Sequence, residues 1–255
     1  MKFNKKNITF GENITLGEGV RIGDNTTIYD NVILGEGVTI CNDCIIGEPE
    51  NDYYSDEGYV NPPTFIGDHA LIRSHTIIYA GSHIGSHLTT GHRVTVRENT
   101  VAGHHCMFGS HTDIHGHCEI GNYNRLHSHV NIGQKSLLGD YVSLYPFVAL
   151  TNDATPPSDI LQGVKIGDYS QISTGAILLP GTVIGEFSLV AANITVSGAY
   201  PDDTFIAGVP AKGMGRLSEM PFFNAHGKKH YPWPMNFDEG MPWEGIGFEE
   251  WRKGL

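Results

Sequence analysis

Basic residues are scarce in this 255-residue sequence, which has 16 lysines and arginines against 28 aspartates and glutamates. The formal net charge of −12 leaves no broad basic surface, so we expect no nucleic-acid partner. Long apolar runs are also missing, and no stretch reaches the roughly 18 residues that a membrane-spanning helix needs. The opening segment "MKFNKKNITFGEN" has no apolar core of signal-peptide length. We therefore expect a cytoplasmic protein that does not insert into a membrane.

Cysteine is rare as well, with four residues in the chain: Cys41, Cys44, Cys106 and Cys118. The segment "CNDC" has the spacing of a zinc or redox pair, but no second pair of this kind follows it. We therefore expect ordinary reduced cysteines and no bound metal. Hydrophobic residues make up 40% of the chain and charged residues 17%, which indicates an ordered globular protein.

Glycine is abundant, and the sequence repeats with a period of six residues. Twelve of the fifteen positions reached in steps of six from Ile66 to Leu150 hold isoleucine, leucine or valine. We number the hexad from this aliphatic residue as position 1. Position 2 is often glycine, which predicts a permissive backbone corner, and position 5 is mostly small. The same period covers residues 10–46 and 166–196.

Strands of this length cannot bury a face alone, so successive coils must stack on one another. Three hexads make a triangular coil of eighteen residues, so residues eighteen apart should lie in one column. Alternation along a strand turns positions 1 and 5 inward and positions 2, 4 and 6 outward. The predicted columns include one of corner glycines: Gly67, Gly85, Gly103, Gly121 and Gly139.

The motif aliphatic–Gly–x–x–small–x, over roughly residues 8–200, resembles the hexapeptide-repeat acyltransferases. The resemblance implies an all-β fold, a left-handed parallel β-helix, and assembly as a homotrimer. We expect this domain over residues 1–212, with loops 48–64 and 151–165 projecting where the period breaks. Residues 213–255 form a tail that holds all three tryptophans, and we expect a cap on the last coil or on a neighbouring subunit rather than a lid.

Histidines occupy the outward columns and admit three interpretations. One column is His75, Arg93, His111, His129 and Phe147, and another is His69, His87, His105, Tyr123 and Tyr141. The rings could be structural, could hold zinc as in the similar γ-type carbonic anhydrases, or could act as a general base near neutral pH. The zinc pattern is incomplete, because Ser110 stands where a partner of His115 would be needed.

Two further segments resemble parts of known acyltransferases. "TNDATPPSD", residues 151–159, is similar to the loop of nucleotide-sugar N-acetyltransferases of surface-polysaccharide synthesis. "AGVPAK", residues 207–212, resembles the acyl-CoA-binding end of the superfamily. These resemblances imply N-acetylation of a nucleotide-linked amino sugar, with acetyl-CoA as co-substrate. The alternatives are O-acetylation of a sugar or serine hydroxyl, a metal-dependent enzyme of the γ-carbonic-anhydrase kind, and a non-catalytic scaffold.

The resemblance also suggests site residues. Counting back 23 positions from Asn152 reaches His129, which we expect to be the general base, with His127 or His111 orienting it. For the acceptor we expect Asn152, Asp153, Arg93 and Arg125. For acyl-CoA we expect Gly175, Ala176, Lys165, Lys212 and Arg216. A backbone N–H within residues 144–147 or at Gly175 would stabilise the oxyanion.

Overall fold

Each hexad forms a short strand because positions 6 and 1 are extended while positions 3 and 4 turn the chain. The computed structural model describes residues 6–254 and arranges these strands in three sheets, A, B and C. The chain visits the three sheets in turn, so neighbouring strands of one sheet are three hexads apart. This is the parallel β-solenoid that the period predicts, and it is consistent with a left-handed β-helix.

The strands of sheet A, in stacking order, are β1 (Thr9–Phe10), β4 (Thr27–Ile28), β7 (Ile45–Glu48), β10 (Ile77–Tyr79), β13 (Thr95–Val96), β16 (Asp113–Ile114), β19 (Asn131–Ile132), β22 (Ala149–Leu150), β25 (Ile177–Leu178) and β28 (Thr195–Val196). Those of sheet B are β2 (Thr15–Leu16), β5 (Val32–Leu34), β8 (Thr64–Ile66), β11 (His83–Ile84), β14 (Val101–Ala102), β17 (Glu119–Ile120), β20 (Leu137–Leu138), β23 (Lys165–Ile166), β26 (Val183–Ile184) and β29 (Ala199–Tyr200).

The strands of sheet C are β3 (Arg21–Ile22), β6 (Thr39–Ile40), β9 (Leu71–Ile72), β12 (Thr89–Thr90), β15 (Met107–Phe108), β18 (Arg125–Leu126), β21 (Ser143–Leu144), β24 (Gln171–Ile172), β27 (Leu189–Val190), β30 (Thr204–Ala207) and β31 (Lys212–Arg216). Strand β31 runs antiparallel to β30. Helical structure in residues 6–254 is limited to 3-10 turns at Asn51–Tyr54, Leu217–Glu219 and Trp233–Met235 and to α1 (Phe248–Arg252). None of these helices is long and apolar enough to cross a membrane.

Residues eighteen apart stack, as predicted. Ile66 pairs with Ile84, and the Gly67 N–H donates to the Ile84 carbonyl at 2.8 Å. The step widens to 32 residues between Leu34 and Ile66 (66 minus 34) and to 28 between Leu138 and Ile166 (166 minus 138). Each ejected loop follows a strand of sheet A and precedes one of sheet B. We call the three edges between sheets the AB, BC and CA corners, and both loops leave at the AB corner.

The core consists of the side chains at positions 1 and 5, as the alternation predicts. Position 1 residues such as Ile66 and Ile78 are fully buried. Cys44, Cys106 and Cys118 are position 5 residues, and burial raises the pKa of the Cys44 and Cys106 thiols to about 12 and that of Cys118 to about 11. Cys41 is a partly exposed position 2 residue, so the two cysteines of "CNDC" lie on either side of a corner and differ in burial.

The left-handed backbone conformation occurs at position 4, which corrects the expectation for glycine at position 2. His129, Tyr141 and Phe147 have φ values of 61°, 60° and 64°. The glycines at position 2 in the predicted column are required for space: a Cβ on Gly85 would lie 2.6 Å from the carbonyl carbon of Gly103 in the next coil. The predicted glycine column therefore exists because neighbouring coils approach closely there, not because of φ.

The BC corner carries a column of seven stacked rings, which we call the BC aromatic column. Neighbouring ring centroids are 4.5 to 5.2 Å apart. Its members are His69, His87, His105, Tyr123, Tyr141, Tyr169 and Phe187. The predicted column ended at Tyr141, because the second loop adds ten residues before Tyr169 and hides the period.

The tail packs along the side of the solenoid, whereas the sequence suggested a cap on its last coil or on a neighbouring subunit. Strand β31 covers the end of sheet C and spans the predicted boundary at residue 212. Beyond it, Trp243 is fully buried against Tyr141, with ring centroids 5.1 Å apart. The Trp233 Nε1–H donates to the Tyr169 carbonyl at 2.7 Å. The large apolar surface of the BC aromatic column explains this attachment.

Replacing His105 with tyrosine is expected to make thermal stability less dependent on pH. Burial, and then the charges of His87 and His104, lower the pKa of His105. The folded state therefore binds fewer protons than the unfolded state, so stability falls as pH drops below the ordinary imidazole value of about 6.5. Tyrosine fits the column, as Tyr123 demonstrates in the next coil.

The measurement is the thermal midpoint of both proteins at about pH 8 and about pH 5, on either side of the imidazole pKa. His117→Tyr, at the AB corner, is the matched control. The wild type and the His117→Tyr protein should lose more stability on acidification than the His105→Tyr protein. Equal losses in all three proteins would contradict the assignment.

Candidate functional site

The CA corner gathers several of the predicted residues in one column. The His129 ring lies between those of His111 and Phe147, at centroid distances of 4.8 and 4.9 Å. Arg93 precedes His111 by one coil, and Gly175 follows Phe147 by one coil across the second loop. The predicted stacking of this column is confirmed. His129 is exposed, and its ring makes no polar contact with other residues in the range 6–254.

His127 lies on the same corner but faces sheet C. Its ring stacks on Tyr145 at 4.9 Å, and burial, together with the positive charge of Arg125, lowers its pKa. A lowered pKa favours the neutral imidazole, the form that accepts a proton. His127 and His129 therefore belong to two separate stacks, and no hydrogen bond joins them in the described chain, so the predicted orienting contact is not seen.

The AB corner holds a histidine that the sequence reasoning considered only as a metal ligand. His115 Nε2 lies 3.5 Å from Asp113 Oδ2 and 3.2 Å from Asn131 Nδ2. Both contacts lie at Nε2, and Nδ1 of His115 makes no hydrogen bond with residues 6–254. The sequence contained a signal for this pair: in the pattern "D-x-H", Asp113 and His115 are two residues apart at one strand end and therefore both point outward.

Asn152 lies over the same corner. Gly133 stacks on His115, and a Cβ on Gly133 would lie 3.1 Å from the Cβ of Asn152. Because Gly133 has no side chain, Asn152 packs directly over it, and the imidazole of His115 lies one coil below. We call the surface formed by His115, Gly133 and Asn152 the AB notch.

Asp153 closes its own loop, although the sequence suggested a contact with the acceptor. Its Oδ1 accepts hydrogen bonds from the Thr155 N–H at 3.0 Å and the Ser158 hydroxyl at 2.7 Å, and its Oδ2 accepts from the Ser158 N–H at 2.9 Å. The Ser158 hydroxyl bond is the main cause of the lowered pKa of Asp153. Asp153 therefore holds the loop that places Asn152.

The predicted cations divide between different sides of the solenoid. Lys212 pairs with Ala207 at the CA end of sheet C. Arg216 lies at the BC end and is paired with Asp203, with Nε 3.0 Å from Oδ2. Lys165 is exposed on sheet B. Arg125 contacts the tail, where its Nη2 donates to the Glu239 carbonyl at 2.8 Å.

Ala176 and the expected oxyanion donors are used inside the coil. Ala176 is fully buried, and its N–H donates to Ser173, so it does not line the surface as predicted. The Gly175 N–H donates to the Pro146 carbonyl at 3.0 Å, and the Phe147 N–H donates to Ser128 at 3.3 Å. Position 5 faces the core and the corner N–H groups bond between coils, which corrects both expectations.

A cavity lies beside the first loop, residues 48–64. It has a volume of about 370 Å³ and is lined by Glu48, Tyr54, Tyr79 and Arg97 among others. The Arg97 guanidinium lies over the Tyr79 ring and pairs with Glu98 at 2.7 Å. Burial raises the pKa of Glu48. Within residues 6–254, no three histidine, cysteine, aspartate or glutamate side chains are grouped to hold a metal ion.

Comparison with known proteins gives a family match for the repeat. The model described as the bacterial transferase hexapeptide (six repeats) matches residues 19–48. The chain is 47% identical over 49 residues to WbbJ of Escherichia coli (strain K12), which is named for O-acetyl transfer in lipopolysaccharide biosynthesis, covering 19% of this chain and 25% of that protein. It is 35% identical over 89 residues to a protein of Schizosaccharomyces pombe named as an acetyltransferase, covering 31% and 42%.

The matched part of the chain thus spans about a quarter of the length of WbbJ and about two fifths of the length of the Schizosaccharomyces pombe protein. Among solved structures, UDP-N-acetylglucosamine O-acyltransferase from Moraxella catarrhalis is similar with a TM-score of 0.46 and 21% identity. That match covers 83% of this chain and 66% of the other. The hexapeptide repeat that the sequence predicted is confirmed.

Proposed function

We propose that this chain transfers an acetyl group from acetyl-CoA to the amine of a nucleotide-linked amino sugar. The reaction would serve the synthesis of a surface polysaccharide in the cytoplasm. The match of residues 19–48 to the bacterial transferase hexapeptide supports this proposal. The names of its two curated relatives, both for acetyl transfer, support the reaction class. The observation that carries the acceptor side is the AB notch, in which an imidazole with a carboxylate neighbour lies below the Asn152 amide.

In the AB notch, the amine nitrogen of the acceptor attacks the thioester carbon of the donor. A C–N bond forms, the C–S bond breaks, and the proton of the amine passes to His115 and from it to the departing thiolate. Asp113 stabilises the imidazolium during this transfer. Asn152 binds the sugar beside the reacting amine. Holding both reactants together supplies most of the acceleration.

We propose His115 as the base in place of His129, which the sequence favoured. Asp113 and Asn131 both lie at Nε2 of His115 and leave its Nδ1 to accept a proton, whereas His129 forms no ion pair with residues 6–254. His115 also shares its corner with Asn152. His129, with His111 and His127, then lines the path of the donor.

The residues at the CA corner fit acetyl-CoA. Gly175 follows Phe147 in the column, and the Asn193 side chain packs over it. Phe147 is 61% exposed and offers an apolar surface beneath it. Lys212, exposed and outside any ion pair of residues 6–254, binds the CoA phosphates. Acetyl-CoA supplies the activated acyl group when bound.

Donor and acceptor residues lie at different corners of one chain, which supports a homotrimer. The CA corner of one subunit then faces the AB corner of the next, and each reaction site is completed by two subunits. Arg93, exposed in the CA column, is available to the acceptor diphosphate across this interface. Light scattering of the purified protein measures the expected mass of three chains.

The test is turnover of the full chain with acetyl-CoA and a panel of nucleotide-linked amino sugars. We expect release of free CoA thiol that depends on the acceptor, and a product that gains one acetyl group. Amide products resist alkaline hydroxylamine, whereas the esters of the O-acetyl alternative, which the name of WbbJ favours, are cleaved. Absence of acyl-CoA binding would support the scaffold alternative.

A further inference from the structure

We propose that Arg125 anchors a second binding site, for a small oxyanion, beneath the C-terminal tail. The site lies on sheet C, away from the AB notch, and borders the CA corner where Tyr145 stacks on His127. It rests on the contacts of Arg125 and not on the proposed acyl transfer. Its ligand class is a phosphate or a carboxylate on a short apolar body.

Arg125 is a cation without a counter-charge. Its Nη2 donates to the Glu239 carbonyl at 2.8 Å, and its guanidinium carbon lies 5.1 Å from the centroid of the Phe237 ring. No carboxylate of residues 6–254 forms an ion pair with it, although the chain has 28 acidic residues against 16 lysines and arginines. Arginine has five N–H donors in a fork that matches an oxyanion, so donors remain for a ligand.

A cavity of about 180 Å³ adjoins this guanidinium. Ser143, on the neighbouring strand in register with Arg125, lines it and is 8% exposed. The Ser143 hydroxyl makes no hydrogen bond with the described part of the chain. Gln171 donates to the Tyr145 hydroxyl at 3.4 Å, which leaves the phenol proton free to donate to a ligand. The cavity therefore presents a cation and two hydroxyl donors, with the Gln171 amide and the His230 ring as the other polar groups of its lining.

The remaining lining limits what fits. Trp233, Phe237 and Met241 from the tail form an apolar side. The volume corresponds to roughly six water molecules at about 30 Å³ each, enough for phosphate or a short carboxylate. Burial, and then the charge of Arg125, lower the pKa of His127, so an anion bound to Arg125 is expected to raise that pKa in part. Because the ligand touches both sheet C and the tail, it joins them.

The test is titration of the full chain with inorganic phosphate and, separately, with butyrate, at constant ionic strength set by chloride. Trp233 lines the cavity, so its fluorescence reports binding, and melting curves report stabilisation. We expect a saturable change with at least one anion, and a melting temperature raised by about 5 °C at roughly 100 times Kd. Response to butyrate alone assigns a carboxylate, and response to phosphate alone assigns a phosphate.

Ser143→Asp places a carboxylate beside Arg125 and should remove the titration while raising the melting temperature without added anion. Arg125→Gln should remove the titration as well. Arg21→Gln is the matched control, because Arg21 holds the equivalent strand position in β3, where its Nη2 bonds Thr39 at 2.9 Å. No saturable response to either anion, or an unchanged response in both Arg125→Gln and Ser143→Asp, overturns the proposal.

Discussion

Replacing His115 with asparagine is expected to lower kcat by about 10²- to 10⁴-fold, the range that general-base catalysis typically contributes. Asparagine keeps the approximate size and a hydrogen-bonding atom but cannot take up the proton. The partners of the ring, Asp113 at 3.5 Å and Asn131 at 3.2 Å, remain in place, so the strand end should keep its structure. Thiol release in the presence of saturating acceptor measures the effect.

The matched control is His129→Asn. At the CA corner this change removes an exposed ring between His111 and Phe147, and asparagine is accepted in the left-handed conformation that His129 adopts at φ 61°. We expect a raised KM for acetyl-CoA with kcat largely kept. The opposite pattern, with loss of kcat in His129→Asn and normal turnover in His115→Asn, would return the role of base to the residue that the sequence favoured.

Gly85→Ala is expected to destabilise the solenoid by about 1–3 kcal/mol, the usual cost of forcing extra atoms into a packed site. The added Cβ would lie 2.6 to 2.8 Å from the backbone of Gly103 and His104, which have no room to move without disturbing the next coil. For a chain of this size, that corresponds to a melting temperature lowered by about 2–4 °C per kcal/mol. Thermal unfolding followed by circular dichroism measures it.

Gly19→Asn is the control for this prediction. Gly19 has φ +73° at position 4, and its nearest neighbour to an added Cβ is 3.8 Å away. Asn25 and Asn31 hold the same conformation at position 4 of the next two hexads. Near-neutral stability is therefore expected. If Gly19→Asn destabilised the protein as much as Gly85→Ala, the distinction between close approach at position 2 and backbone conformation at position 4 would be wrong.

The sequence predicted the solenoid because the same six-residue pattern recurs along most of the chain. Burial of positions 1 and 5 follows from alternation along a strand, and the columns follow from the triangular coil. The roles of the corner residues were less accessible, because glycine at position 2 suggests a turn to anyone reading residue types alone. In the structure, Gly85 faces the backbone of Gly103. Bulky residues such as Phe147 adopt the left-handed conformation.

The candidate site was predicted in part for a similar reason. Position 129 lies 23 residues before Asn152, which is one coil of eighteen residues and five more. Five residues are nearly one side of the triangular coil, so position 129 lies at the CA corner and not at the AB corner of Asn152. His115 precedes Asn152 by 37 residues, two coils and one residue, and therefore shares its corner. The attachment of the tail to Tyr141 and Tyr169 had no periodic signal, because it depends on contacts between segments of unrelated pattern.

Both loops leave the solenoid at one corner, with five strands of sheet A, β10 to β22, between them. A whole coil is therefore a natural unit of length: its gain or loss between the loops would shift their spacing by about 4.8 Å and leave every other contact in register. Proteins that differ by whole coils between the two loops would therefore fit longer or shorter sugar nucleotides without a change in any single contact.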